Sequence, residues 1–224
     1  MISVAIDGPA GVGKSTAAKA VARKLNYIYV DTGALYRAIG LFATEHNIKT
    51  TDGEAIEARL REIKLALKYV SGEQRVFLNG RDVSQDIRKP EMGMAASNVS
   101  AIPAVRDFLL DLQRDMAACQ NVIMDGRDIG TVVLPDARVK IYLTASAEAR
   151  AKRRFEEHVA KGEKVSYNNI LSEIERRDYN DMNRGIAPLK QADDAVLVDN
   201  TGWTCEETAD NILKIIRGCG HEVE

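Results

Sequence analysis

Gly8-Pro9-Ala10-Gly11-Val12-Gly13-Lys14-Ser15 follows the pattern G-x-x-x-x-G-K-[ST]. Glycines at these positions let backbone N–H groups turn inward around an anion, and the start of a helix adds a favourable dipole. Lys14 would reach the β- and γ-phosphates of a nucleoside triphosphate, and the Ser15 hydroxyl suits a magnesium ion. The setting agrees with this. Ser3–Ile6 reads as a buried strand, and Ala17, Ala18, Val21, Ala22 and Leu25 follow at helical spacing. A glycine-rich turn beside a chance lysine would lack that strand–loop–helix context. The loop fixes nucleotide binding and leaves the reaction open, since switch GTPases, ATP-driven machines and small-molecule kinases all use it.

A phosphate acceptor carries two negative charges and needs several cationic donors, best supplied by bidentate arginines. Arginines cluster here next to turn signals. Asp31-Thr32-Gly33-Ala34-Leu35-Tyr36-Arg37 follows a possible strand at Tyr27–Val30, and Asp125-Gly126-Arg127-Asp128-Ile129-Gly130-Thr131 follows the apolar run Asn121–Met124. Arg177, Asp181 and Arg184 recur at i, i+4, i+7, one face of a helix ended by Gly185 and Pro188. Arg150, Arg153 and Arg154 share another helical face after Ser146. Singly, each reads as a solvated ion pair or a plain turn. Together, at strand ends and behind a phosphate loop, they point to a bound anion.

The elements that must carry these residues alternate. Ser3–Ile6, Asn121–Asp125, Val139–Ala145 and Ala195–Asp199 read as short buried strands, each followed by a helical pattern, which predicts a parallel α/β sheet. Pro103 suits the first turn of a helix with the stripe Val105, Phe108, Leu109, Leu112 and Met116. The last helix opens on Thr204 and Glu207, a capping box, and stops at Gly218. One stretch breaks the rhythm: Lys64–Val70 and Arg75–Leu78 alternate like strands, and Asn79-Gly80 is a hairpin turn. An antiparallel ribbon inserted as an arm on a single domain accounts for it.

The 224 residues and a hydrophobic fraction of 45% suit one domain with a sizeable core. A net charge of −2 excludes a strongly basic nucleic-acid binder. The start MISVAIDG lacks a basic segment followed by a long apolar one, and no apolar run approaches membrane-spanning length. Cys119, Cys205 and Cys219 have no metal-ligand spacing and read as reduced thiols, so a cytoplasmic protein is expected.

From Ser3 to about Thr201 the chain resembles the bacterial cytidylate kinases, a family of P-loop nucleoside monophosphate kinases. The resemblance rests on Ile6–Thr16, Asp31–Arg37, Asp125–Val133, Arg177-Asp178, Asn183-Arg184 and Ala187-Pro188-Leu189. It implies an α/β three-layer sandwich with a mostly parallel central sheet. It also implies a monophosphate-binding insertion at about 38–95, with a small antiparallel sheet at about 60–84, and a short lid at about 150–168, all in one domain spanning 1–224. The implied reaction is ATP-dependent phosphorylation of CMP and dCMP to CDP and dCDP. By the same resemblance, Gly8 to Thr16 bind ATP, and Ser15 holds Mg²⁺. Ser97, Arg106 and Asp128 contact cytosine. Arg37, Arg127 and Arg184 hold the acceptor phosphate, and Arg177 and Asp181 reach the sugar hydroxyls. Thr32 and Tyr36 join the acceptor set, with Thr32 standing where some relatives have serine. Lys14, Arg150, Arg153 and Arg154 act at the transferring phosphate. A monomer working on free nucleotides, with no nucleic acid or membrane partner, is expected.

The chemistry of the residues agrees. Cytosine presents an exocyclic amine from which a carboxylate such as Asp128 can accept, whereas uracil presents a carbonyl oxygen there. Transfer between phosphates needs no protein nucleophile, so catalysis is positioning plus cationic stabilisation in a site closed to water. A UMP, dTMP or shikimate kinase fits the arginine pattern and the ribbon less well. A guanine-reading switch would need an Asn-Lys-x-Asp segment, which the chain lacks.

Overall fold

The computed structural model describes residues 1–70 and 73–219. In chain order the elements are β1 (Ser3–Asp7), α1 (Lys14–Leu25), β2 (Ile28–Asp31), α2 (Thr32–Glu45), α3 (Gly53–Glu57), β3 (Leu65–Val70), β4 (Glu73–Leu78) and β5 (Arg81–Asp82). There follow α4 (Met92–Val99), α5 (Pro103–Cys119), β6 (Val122–Gly126), β7 (Val139–Thr144), α6 (Ala147–Ala160), α7 (Tyr167–Asn183), β8 (Val196–Asp199) and α8 (Cys205–Gly218). They group into two compact units, one made of Met1–Tyr29 with Cys119–Glu224 and the other of Val30–Ala118.

In the first unit β1 lies in the middle of a parallel sheet, paired with β6 from Ser3↔Val122 to Asp7↔Gly126 and with β7 from Val4↔Val139 to Asp7↔Tyr142. The full strand order is β2-β6-β1-β7-β8. Central placement explains why β1 reads as an apolar run without alternation, since both of its faces are covered. Ala17, Ala18, Val21, Ala22 and Leu25 of α1 join Ala209, Ile212 and Ile216 of α8 in one core with Val4, Ile6, Ile123, Ile141 and Leu143. Small alanines bring α1 close. Truncating the fully buried Ile212 to alanine would cost about 2–5 kcal/mol. Asn26, in the left-handed conformation, ends α1 by donating its N–H to Ala22 and Arg23 carbonyls. The capping box at Thr204 and Glu207 is formed.

The expectation that a helix follows every strand fails after β6. That strand runs into one wide turn, Ile129–Val133, and then directly to β7. The reason lies at the carboxyl end of β1, where Asp7 accepts hydrogen bonds from the Ile129 and Gly130 amides at 2.8 and 2.7 Å. Gly130 is pressed so closely that a Cβ there would lie 3.2 Å from the Lys140 stem. The connection is thereby held against β1 and has no room to lengthen into a helix.

In the second unit Leu35, Ile39 and Phe42 of α2 pack with Ala95, Ala96 and Val99 of α4, Val105 and Leu109 of α5, and Val76 and Leu78 of β4. Gly40 allows the close crossing, since a Cβ there would come within 2.8 Å of the Ala95 Cβ. The ribbon is present and has three strands, β3-β4-β5. Asn79 and Gly80, both with positive φ, turn β4 into the short β5 and do not join the two longer strands. The β3–β4 connection lies outside the described residues. On α5 the expected stripe is only partly right. Val105 and Leu109 are fully buried, while Phe108 is exposed and Arg106 and Gln113 are buried.

Candidate active site

Three glycines make the loop after β1 possible. Gly11 and Gly13 have φ of 74° and 92°, and Gly8 passes so near β7 that a Cβ would sit 2.0 Å from the Leu143 carbonyl oxygen. Lys14 opens α1 and is buried, its Nζ donating to the Gly8 and Pro9 carbonyls at 2.7 and 2.8 Å. Arg150 Nη1 donates to the Ala10 carbonyl at 2.9 Å. Val12 is fully buried under the loop, and Thr16 is exposed on the first turn. Donors thus hold the carbonyl edge. The opposite edge of such a loop is its row of N–H groups, the edge that an anion takes.

Around Lys14 the carboxyl ends of β1 and β6 gather charge. Burial holds the Lys14 ammonium well below its usual range, the Arg127 and Arg177 guanidiniums push it the same way, and Asp125 and Asp7 oppose them. Ser15 donates its hydroxyl to Asp125 Oδ2 at 2.7 Å, and Tyr29 donates to Oδ1 at 3.0 Å. Arg127 Nε donates to Asp181 Oδ2 at 2.8 Å. Burial works against the Arg127 charge, and Asp181 with Asp125 and Asp178 outweighs it, so the guanidinium is held more firmly protonated than usual. Asp7 is pushed up to about 6 by burial, against the pull of the two amides it accepts from.

The acceptor residues expected in this unit are brought together with one change. α7 ends at Asn183, so Arg184 stands beyond the helix in an extended conformation and does not share its face with Arg177 and Asp181. Pro188 and the left-handed Ala187 turn the chain back. Leu189 N–H then bonds the Asp181 carbonyl at 2.8 Å. Arg184 Nε donates to the Ala187 carbonyl at 2.7 Å, and its Nη2 lies 3.4 Å from Asp128 Oδ1. Both Asp128 and Arg184 are buried.

The lid arginines stand on α6. Arg150 is only 4% exposed and each of its nitrogens has a partner, with Nε on the Ala145 and Ser146 carbonyls and Nη2 paired with Asp178 at 2.6 Å. Arg153 donates to Asn200 and to the Trp203 carbonyl, and Arg154 faces Glu173 at 3.4 Å. The expected lid span covers most of α6, the connection to α7 and its first residues.

The second unit holds its own set. Asp31 caps α2 through Oδ1, accepting from Ala34 N–H at 3.0 Å, while Oδ2 takes Arg37 Nη2 at 2.6 Å. Thr32 is buried at the first position of α2. Arg106 stacks over the Tyr36 ring at 5.8 Å and donates to the Ser100 carbonyl at 3.3 Å. The Ser100 hydroxyl in turn bonds the carbonyl of Ser97, another buried residue. Gln74 of β4 accepts from Asp31 N–H at 3.0 Å, tying the ribbon to this turn.

Sequence reasoning gave no role to Asp7, Tyr29, Asp125, Asp178 or Asn200. Buried acids close to motif residues are the one signal that could have raised Asp7 and Asp125.

The family model described as cytidylate kinase matches residues 4–218. A cytidylate kinase from Caldicellulosiruptor saccharolyticus is 52% identical over 223 residues, 99% of either chain. One from Lactobacillus johnsonii is 50% identical over 217 residues, covering 97% of this chain and 94% of that one. A solved structure of an uncharacterized protein from Eubacterium ventriosum superposes with a TM-score of 0.54 at 16% identity, covering 97% and 98% of the two chains, a likeness of fold alone. Matched over almost its whole length by the family model and by relatives at about half identity, the chain is a member of the cytidylate kinase family and a nucleotide kinase.

Proposed function

We propose that the protein transfers the γ-phosphoryl group of ATP to CMP and dCMP, giving ADP with CDP or dCDP. The observation that carries this reading is the set of cations at the strand ends. Arg127 and Arg177 lie near enough to Lys14 to depress its pKa, an arrangement that a chain of phosphates would stabilise. An acceptor phosphate oxygen attacks in line, and no protein group forms a covalent bond. Lys14 and the loop N–H groups of Gly8 to Thr16 orient the donor. Arg153 and Arg154 on the lid stabilise charge as the bond breaks, while Arg150, fixed behind the loop, holds its carbonyl edge.

On the acceptor side Arg37, Arg127 and Arg184 take the phosphate, and Arg177 and Asp181 take the sugar. Asp128, with Ser97 and Arg106, takes the cytosine, while Thr32 and Tyr36 shape the place around it. The Ser15 hydroxyl and the Asp125 carboxylate, 2.7 Å apart, are hard oxygen donors that fit Mg²⁺. Among the described residues no group of three His, Cys, Asp or Glu forms a dedicated metal cage. Held by Ser15 and Asp125, Mg²⁺ would supply charge neutralisation for the transferring phosphate. In this reading residues 38–95 form the monophosphate-binding insertion and 150–168 the lid of one functional domain, and the enzyme works as a cytoplasmic monomer.

Release of ADP measured with each nucleoside monophosphate in turn tests the reading. CMP and dCMP are expected to be used at least about tenfold better than UMP, AMP or dTMP, the scale set by one mispaired polar group. Faster use of any of the other three would overturn the acceptor assignment.

A further inference from the structure

The residue just past β8, Asn200, has no place in the chemistry described so far, yet it is 2% exposed and every polar atom of its side chain is used. Its Nδ2 donates to the Val12 carbonyl of the phosphate loop at 2.9 Å and to Thr208 Oγ1 of α8 at 3.2 Å. Its Oδ1 accepts from Arg153 Nη1 of α6 at 3.3 Å, and its carbonyl accepts from Arg153 Nη2. The amide can stand only one way round, because a carbonyl can only accept and a guanidinium can only donate. Asn200 N–H, bonded to the Thr144 carbonyl at 2.9 Å, extends the β7–β8 ladder and fixes the backbone from which the amide projects.

We infer that Asn200 is a positioning residue for the phosphate donor, holding the Val12 carbonyl outward so that the loop presents its N–H edge to the nucleotide. The inference rests on the reading that ATP occupies this loop. Four of the loop's carbonyl groups have named side-chain donors behind them. Lys14 serves Gly8 and Pro9, Arg150 serves Ala10, and Asn200 alone among these serves Val12. Gly13 follows directly, and a Cβ there would lie 3.9 Å from Asn200 Nδ2, so the amide lies against the last turn of the loop before Lys14. Losing it would leave the buried Val12 carbonyl without its donor, and the peptide joining Val12 to Gly13 could rotate at the glycine. The same amide orients Arg153, so donor loop and lid arginine share one anchor.

The test measures dissociation constants of a non-hydrolysable ATP analogue with Mg²⁺, and separately of CMP, for the full chain and its Asn200→Ala and Asn200→Asp variants. Asn200→Asp keeps size and the pairing with Arg153 while turning an acceptor toward the Val12 carbonyl, and it serves if Asn200→Ala does not fold. Each variant is expected to bind the ATP analogue roughly tenfold more weakly, the scale of one lost buried hydrogen bond, with CMP affinity within about twofold of the parent. Unchanged analogue affinity in a folded variant would overturn the inference. Equal weakening of both ligands, or a lowered Tm with no change in affinity, would also overturn it by making Asn200 merely structural. If the parent chain bound the analogue no better than Lys14→Ala, the donor-site reading itself would fall.

Discussion

Ser15, on the first turn of α1, donates its hydroxyl to Asp125 at 2.7 Å across 110 positions of sequence. The bond joins the first turn of α1 to the carboxyl end of β6, and in the proposed function its two oxygens are the ones that would ligate Mg²⁺. Asp125→Ala should raise the Mg²⁺ concentration needed for half-maximal binding of an ATP analogue by roughly 10–100-fold. Tyr29→Phe removes only the 3.0 Å bond to the other carboxylate oxygen and should produce a smaller shift in the same direction. A Mg²⁺ titration that is the same for all three proteins would exclude Asp125 from the metal site.

Arg184→Ala should weaken CMP binding while leaving the ATP analogue nearly unaffected. Arg127→Ala should do the same and also destabilise the fold, because it breaks the buried ion pair with Asp181. Breaking such a pair costs about 3–5 kcal/mol. Ligand titrations and urea unfolding of both variants separate the two effects. Loss of ATP affinity to the same extent would assign these arginines to the donor.

Asp128→Asn should lower kcat/KM for CMP and narrow the ratio of CMP to UMP use by roughly ten- to a hundredfold, because the amide can donate where the carboxylate could only accept. The 3.4 Å contact with Arg184 gives the competing account, in which Asp128 only steers that arginine. Steering alone would slow both substrates by one factor and leave their ratio unchanged.

Asp7 makes a prediction in pH. Burial raises its carboxyl from 3.8 to about 6, so between these values the folded chain keeps a proton that the unfolded chain has released. Folding stability contributed by this group therefore falls as pH rises through that window, by about 3 kcal/mol in all. Asp7→Asn has no proton to lose there. Urea unfolding at pH 4 and pH 7 should show the stability difference between the two proteins moving against the parent chain by about 2–3 kcal/mol. A constant difference would mean that Asp7 titrates as an ordinary carboxyl.

Much of this was legible in the sequence because the signals are local. The phosphate loop declares itself by glycines and lysine at fixed spacing, β1 and β6 by apolar runs, and β7 by one interrupted only at Lys140. What escaped depends on partners far away in sequence. Asp7 sits beside the phosphate-loop motif like any acid, and only the Ile129 and Gly130 amides explain it. Those same bonds replaced an expected helix with a single turn. Arg150 reads as one of three equivalent lid arginines, whereas Asp178 and the Ala10 carbonyl bury it behind the loop. Phe108 joined the expected stripe of α5 because apolarity was its only local mark, and the face actually buried carries Arg106 and Gln113.

The two hydrophobic cores differ in how the chain supplies them. The core of the Val30–Ala118 unit draws on one continuous stretch. The other must join segments from both ends, and Ile2 finds its partner Asn121 119 positions away. On a growing chain β1 is therefore made first and is among the last strands to be paired, because β6 and β7 emerge long after it. Closing that loop carries an entropy cost which local contacts in the middle stretch avoid. Pulse-labelled hydrogen exchange during refolding should protect amides of α2 and α4 before those of β1. Simultaneous protection would mean that the two cores form as one cooperative unit.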